Sequence, residues 1–119
     1  MTPPKVSVIM PTYNCARFLK VAVQSVLSQS YADLEIIVVN DGSSDNTDEV
    51  LGMFEDARLK RVTLEVHSGI PQARNVGIRC ARGEYLTFFD SDDIMLPDAI
   101  AKRICFLERH SEVDAGRRA

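Results

Sequence analysis

The chain has 119 residues, 45% of them hydrophobic and 26% charged, with a formal net charge of −3. This suits one globular domain with a single core, and the slight acidity offers no basic face for nucleic acid. No apolar run approaches the ~20 residues needed to cross a bilayer, and Met1-Thr2-Pro3-Pro4-Lys5 runs directly into an apolar segment, so neither a transmembrane segment nor a signal peptide is expected.

Val6-Ser7-Val8-Ile9-Met10 is mostly β-branched and reads as a buried strand stopped by Pro11. Pro11-Thr12-Tyr13-Asn14 is then a loop, with Asn14 a candidate N-cap. From Ala16 to Ser28, Phe18, Leu19, Ala22, Val23, Val26 and Leu27 recur at the spacing of an amphipathic helix. Leu34 to Val39 is a second buried strand, ending at a cluster of turn formers from Asn40 to Asn46. Thr47 to Phe54 reads as a short helix, with Asp48 and Glu49 where the helix dipole favours negative charge. A third strand lies within Leu59 to Val66, alternating at Val62, Leu64 and Val66. After the loop His67-Ser68-Gly69, Pro71 suits the first turn of a helix that runs to about Ala81, with Ile70, Ala73, Val76, Gly77 and Cys80 as its apolar stripe and Gly83 as its stop. Glu84 to Phe89 is a fourth strand. Pro97 precedes a last helix with Ile100, Ile104 and Leu107 on one face. The tail from Asp114 has no pattern and is expected to fray.

Strand and helix alternate throughout, which predicts an α/β domain: a mostly parallel, Rossmann-like sheet with helices on both faces, in three layers. Cys15, Cys80 and Cys105 are far apart and odd in number, and they read as reduced thiols of a cytoplasmic protein.

Three loops follow parallel strands and should open on one edge of the sheet, where such folds bind ligands. They are Pro11-Thr12-Tyr13-Asn14, Asn40-Asp41-Gly42-Ser43 and Asp90-Ser91-Asp92-Asp93. Tyr13 could stack on a nucleobase and Asp41 could accept a base N–H. The carboxylates crowded at Asp90, Asp92 and Asp93 could hold a hard divalent cation beside a diphosphate. Each loop alone has a plainer reading: Tyr13 as packing, Asp41-Gly42 as a turn, the acidic cluster as a helix cap or solvated turn. Arg74, on the polar side of the third helix, suits a phosphate or a pyrimidine edge, or simply solvent. His67 and His110 read as surface residues. No P-loop, GxGxxG, HExxH, paired CxxC or Ser/His/Asp set is present. A phosphoacceptor receiver domain would need acids at the end of the first strand, and a nucleotidyltransferase a Gly-rich basic loop there; the chain has neither.

The segments Val6 to Asn14, Glu35 to Asp45, Gly69 to Gly77 and Gly83 to Asp93, in this order and spacing, closely resemble family 2 inverting glycosyltransferases. The resemblance covers about Lys5 to His110. It implies the GT-A fold and a nucleotide-diphospho-sugar donor, commonly UDP-linked. It also implies Mg²⁺ or Mn²⁺ and inverting transfer to a hydroxyl acceptor, a saccharide or lipid-linked saccharide of cell-envelope synthesis. Pro11, Thr12, Tyr13, Asn14 and Ser43 would then belong to the nucleotide site, with Thr12 and Tyr13 bracketing the base. Asp41 would bind the base edge and Arg74 the nucleotide. Asp90-Ser91-Asp92 would be the DxD element, with Asp92 on ribose or metal and Asp93 a metal ligand.

The family's acceptor-binding half and its general base lie further along the chain. By this resemblance residues 1–119 form a truncated donor-binding half, and a non-catalytic binding fragment is the alternative. The expected location is the cytoplasm or the inner face of the membrane, and a homodimer could bury the uncovered surface.

Overall fold

The structure, a computed structural model, describes residues 2–110, so the tail from Asp114 lies outside the described residues. Its elements are β1 (Val6–Thr12), α1 (Ala16–Leu27), β2 (Leu34–Asp41), α2 (Thr47–Leu51), β3 (Leu59–Leu64), α3 (Ile70–Cys80), β4 (Tyr85–Phe88) and α4 (Ala99–Arg109). Every strand pair is parallel and the sheet order is β3-β2-β1-β4. The central strands β1 and β2 are covered on both faces, which is why they read as nearly unbroken apolar runs. At the edge, β3 alternates between half-buried and exposed residues along its outer part.

Alternate side chains of the central strands supply two cores. Val6, Val8, Met10, Ile36 and Val38 pack with α1, α2 and α4 on one face. Ile9, Ile37 and Val39 pack with α3 on the other. The chain walks outward from β1 to β3, then α3 carries it back to place β4 on the far side of β1. Right-handed crossovers require that reversal of direction to put α3 on the opposite face from α1 and α2. The three layers and helices on both faces therefore follow from the order of strands.

Several local expectations are corrected. Pro11 does not stop β1, which runs on to Thr12 and pairs with β2 through Asn40. The Ile9 carbonyl accepts the Phe89 N–H, so Pro11, two residues later, faces the same side as Ile9, where β4 has already ended. Its missing N–H therefore costs no ladder bond. Asn14 is not the cap of α1; it adopts φ 51°, and the helix N-terminus is met by Asp45, whose Oδ2 accepts the Ala16 N–H at 3.1 Å. Phe18 is 48% exposed rather than part of the buried stripe, and Ile70 and Cys80 are exposed on α3. The helix from Thr47 closes at Leu51, short of Phe54. Gly83 is not a left-handed stop. It lies against β1 so closely that a Cβ there would sit 2.6 Å from the Ser7 N.

At the N-terminal edge of the sheet, Glu35 is buried at 2% exposure. It accepts hydrogen bonds from the Ser7 hydroxyl (2.5 Å) and the Arg82 N–H (2.8 Å), with Lys60 Nζ 3.0 Å away. Burial pushes its carboxyl up, but Ser7, Arg82 and Lys60 together outweigh this and hold it below its ordinary value. The Gly83 N–H donates to Ser7 Oγ, so the buried pair fixes the turn from which β4 starts.

Candidate functional site

The order β3-β2-β1-β4 has one switch point, between β1 and β4, and the carboxyl ends of strands at such a point open a crevice. A cleft of 510 Å³ lies there, lined by Pro11, Thr12, Tyr13, Cys15, Asp41, His67, Gly69, Ile70, Asp90, Ser91 and Asp92. Its walls are the end of β1, the end of β2, the loop into α3 and the loop after β4. Thr12 is buried, and among the described residues its hydroxyl has no hydrogen-bond partner. That leaves one buried, uncompensated polar group in the wall of the cleft.

Asp41 ends β2 and is 2% exposed. Its Oδ1 accepts the Ser68 N–H at 2.9 Å and its Oδ2 the Gly69 N–H at 2.8 Å. The buried carboxylate thus sits on the amides that lead into α3, where the helix dipole favours negative charge. His67 Nδ1 lies 3.0 Å from the same Oδ2, and its ring stacks on Tyr13 with centroids 3.8 Å apart. Gly42 permits this arrangement: its φ of 70° suits glycine, and a Cβ would meet the His67 N at 2.5 Å. His67 is therefore not an idle surface residue.

Asp90, Asp92 and Asp93 are exposed, and one oxygen from each lies within 4.8 Å of the others. Among the described residues, no lysine, arginine or histidine pairs with them. The segment that follows the cluster is braced from the end of α1 and the residues just past it. Ser25 Oγ accepts the Met95 N–H at 2.9 Å. Gln29 donates to the Leu96 carbonyl at 2.7 Å and accepts the Ile100 N–H at 3.1 Å.

Other expected site residues stand outside the cleft lining. Asn14 and Ser43 meet each other instead: the Asn14 N–H donates to Ser43 Oγ at 3.0 Å, and Asn14 Oδ1 accepts the Ser44 N–H at 2.8 Å. They clip the loop after β1 to the loop after β2. Arg74 is exposed, with its guanidinium over the Phe88 ring at 5.1 Å. Asp93 belongs to the acidic cluster but does not line the cleft.

Residues 7–119 match the family model described as Glycosyl transferase family 2. The chain belongs to this family. Among relatives, it is 38% identical over 106 residues to the UDP-Glc:alpha-D-GlcNAc-diphosphoundecaprenol beta-1,3-glucosyltransferase WfgD of Escherichia coli, covering 89% of this chain and 42% of the relative. Among solved structures, it resembles S. aureus TarS 1-349 in complex with UDP, with a TM-score of 0.83 and 33% identity over 90% of this chain and 33% of that one. It also resembles the mannosyltransferase PcManGT from Pyrobaculum calidifontis in complex with GDP-Man and Mn²⁺, with a TM-score of 0.81 and 29% identity over 90% of this chain and 33% of that one. The chain spans no more than about half the length of the curated relatives it matches.

The GT-A fold and the N-terminal position within family 2 are thus shown. Sequence reasoning read His67 as a surface residue and gave Gln29 and Asp45 no role, because their roles come from partners 26 to 71 positions away. The one local signal for His67 was its place beside Ser68-Gly69, directly ahead of a helix start.

Proposed function

We propose that this chain is the donor-binding part of an inverting glycosyltransferase that takes its sugar from a UDP-linked donor. The observation that carries the reading is the convergence of Tyr13, Asp41 and Asp90-Ser91-Asp92 on one cleft at the switch point. Tyr13 offers a ring face to the base, and Thr12 lies beside it in the cleft lining. Asp41 offers a carboxylate for a base N–H: each of its oxygens accepts one backbone N–H, from Ser68 or Gly69, so a lone pair remains on each. UDP is present in the TarS complex and UDP-Glc is named for the Escherichia coli relative, which supports a uridine nucleotide.

The acidic cluster fits Mg²⁺ or Mn²⁺. Three exposed carboxylates within 4.8 Å form a hard oxygen donor set, and crowding three negative charges without a paired side chain favours a cation. Asp92, Asp93 or both would ligate it, with Asp90 and Ser91 against the nucleotide. When bound, the cation supplies charge neutralisation for the departing diphosphate. Asn14 and Ser43 support the site by holding two of its loops together, and Arg74 would reach the nucleotide by leaving the Phe88 ring.

In the transfer, an acceptor hydroxyl attacks the anomeric carbon opposite the diphosphate. The new C–O bond forms as the bond to the diphosphate breaks, and the hydroxyl proton passes to a general base. The carboxylates of the cleft are already committed to base and cation, so no described residue is assigned that base. The acceptor is a saccharide or lipid-linked saccharide hydroxyl of cell-envelope synthesis at the inner face of the membrane. The diphosphoundecaprenol in the name of the Escherichia coli relative supports this. Among the described residues no helix is long and apolar enough to cross a membrane.

A second reading, donor binding without transfer, is favoured by the chain's share of its relatives' length, 49% or less in the first three. Titration of Mn²⁺ followed by electron paramagnetic resonance, with UDP present, tests the site. The ion's free signal should diminish with the wild type and persist with an Asp92→Asn, Asp93→Asn double variant. Equal binding by both would sink the assignment. Transfer from UDP-sugars to a panel of acceptors by the 119-residue chain would rule out the second reading.

A further inference from the structure

The contacts of His67 coincide with those assigned above to the nucleobase. A base in this site would lay its ring on Tyr13 and give an N–H to the Asp41 carboxylate. The imidazole of His67 occupies both places: its centroid is 3.8 Å from that of Tyr13 at an interplanar angle of 25°, and its Nδ1 is 3.0 Å from Asp41 Oδ2, with the Asp41 backbone carbonyl also within hydrogen-bond reach at 3.2 Å. A spacing of 3.8 Å is direct ring-on-ring contact, leaving no room for a third ring between them. His67 lines the cleft with Tyr13 and Asp41, so the imidazole holds space that opens into the same crevice as the acidic cluster.

We propose that His67 is a built-in stand-in for the nucleobase, which a nucleoside diphosphate must displace in order to bind. The inference rests on the base site proposed above. The loop does not need the imidazole to stay in place. Asp41 holds it through the Ser68 and Gly69 N–H groups at 2.9 and 2.8 Å, while the His67 side chain is 46% exposed and has solvent to swing into. Displacement therefore exchanges one stacked, hydrogen-bonded ring for another without unmaking the backbone. The affinity seen by a nucleotide is its intrinsic affinity reduced by the fraction of molecules in which His67 fills the site. His67 thereby sets the threshold concentration for donor binding, and it disfavours ligands that offer no ring to compensate for the stack they break.

The test is UDP binding by the 119-residue chain, its His67→Ala variant and its Tyr13→Ala variant, each with diamagnetic Mg²⁺, joined to proton NMR of the histidine rings. The chain has two histidines, so the variant identifies the His67 signals. His67→Ala is expected to bind UDP about five-fold tighter than the wild type, the scale of one lost stack on an exposed ring. In the free wild type, the His67 ring protons are expected upfield under the Tyr13 ring, moving back downfield as UDP is added. Unchanged or weaker binding by His67→Ala overturns the proposal, as do His67 signals that stay shifted at saturation. If Tyr13→Ala still weakens UDP in that case, the base site stands without its stand-in. If adding Tyr13→Ala to the His67→Ala variant leaves the affinity of UDP unaltered, the base site itself is wrong and the proposal falls with it.

Discussion

A carboxylate on a central strand is costly to bury, and Glu35 stays charged because Ser7, the Arg82 N–H and Lys60 surround it. Its folded value lies below the ordinary 4.5, so the unfolded chain binds the proton more readily. The stability it contributes is complete above that ordinary value and disappears as pH falls through the folded one. Asp45 and Asp56 are held down as well, so they share the acid slope. Glu35→Gln should cost about 2 kcal/mol at neutral pH, the scale of a hydrogen bond to a charged group, and flatten part of the slope below pH 5. Urea unfolding at pH 7 and pH 4 measures both; an unchanged acid slope would contradict the role given to Glu35. Asp41→Asn should lower UDP affinity at least about ten-fold, since an amide replaces one of two acceptors by a donor facing an N–H. Calorimetry at matched fold content decides it. At this scale the sequence was only partly legible. Tyr13, Asp41 and the acidic cluster were placed by their position after strands. Glu35 looked like one more strand residue and His67 like surface, because what defines them is a partner brought up by the fold.

The elements themselves were largely legible. Apolar periodicity located each strand and helix, because the central strands are buried on both faces and each helix packs one stripe on the sheet. The misjudged details depend on neighbours. Pro11 is tolerated within β1 because β4 has ended beside it, and Asp45 meets the α1 terminus from another loop. Gly77 sits so close to the sheet that a Cβ would lie 2.4 Å from Ile9 Cγ2. Gly77→Ala should therefore push α3 off the sheet and cost about 2 kcal/mol despite its better helix propensity. A melting temperature equal to or above that of the wild type would show that the helix can shift at no cost. Gln29 ties α1 to the segment behind the acidic cluster through Leu96 and Ile100. Gln29→Ala should weaken Mn²⁺ binding several-fold while leaving metal-free UDP contacts unaltered, because it loosens the cluster and not the base site. Relaxation of water protons by bound Mn²⁺ reads this out.

For the molecule as a whole, strand–helix alternation implied the parallel three-layer sheet, and the resemblance of four segments implied its family. The strand order β3-β2-β1-β4 adds the physical reason that the segments meet: three loops reach one switch point, and α3 enters from the fourth side. Which residues actually share the cleft required the structure, since Asn14, Ser43 and Arg74 read like cleft residues and are engaged elsewhere. The central claim is that this cleft binds a uridine diphosphate through a base site and a cation-holding acidic cluster acting together. Isothermal titration of UDP into the folded 119-residue chain, with Mn²⁺ and again with a chelator, tests it most directly. Saturable binding with Mn²⁺ that weakens at least about ten-fold with the chelator is the predicted result. No binding with Mn²⁺ present, or the same affinity without it, would contradict the account.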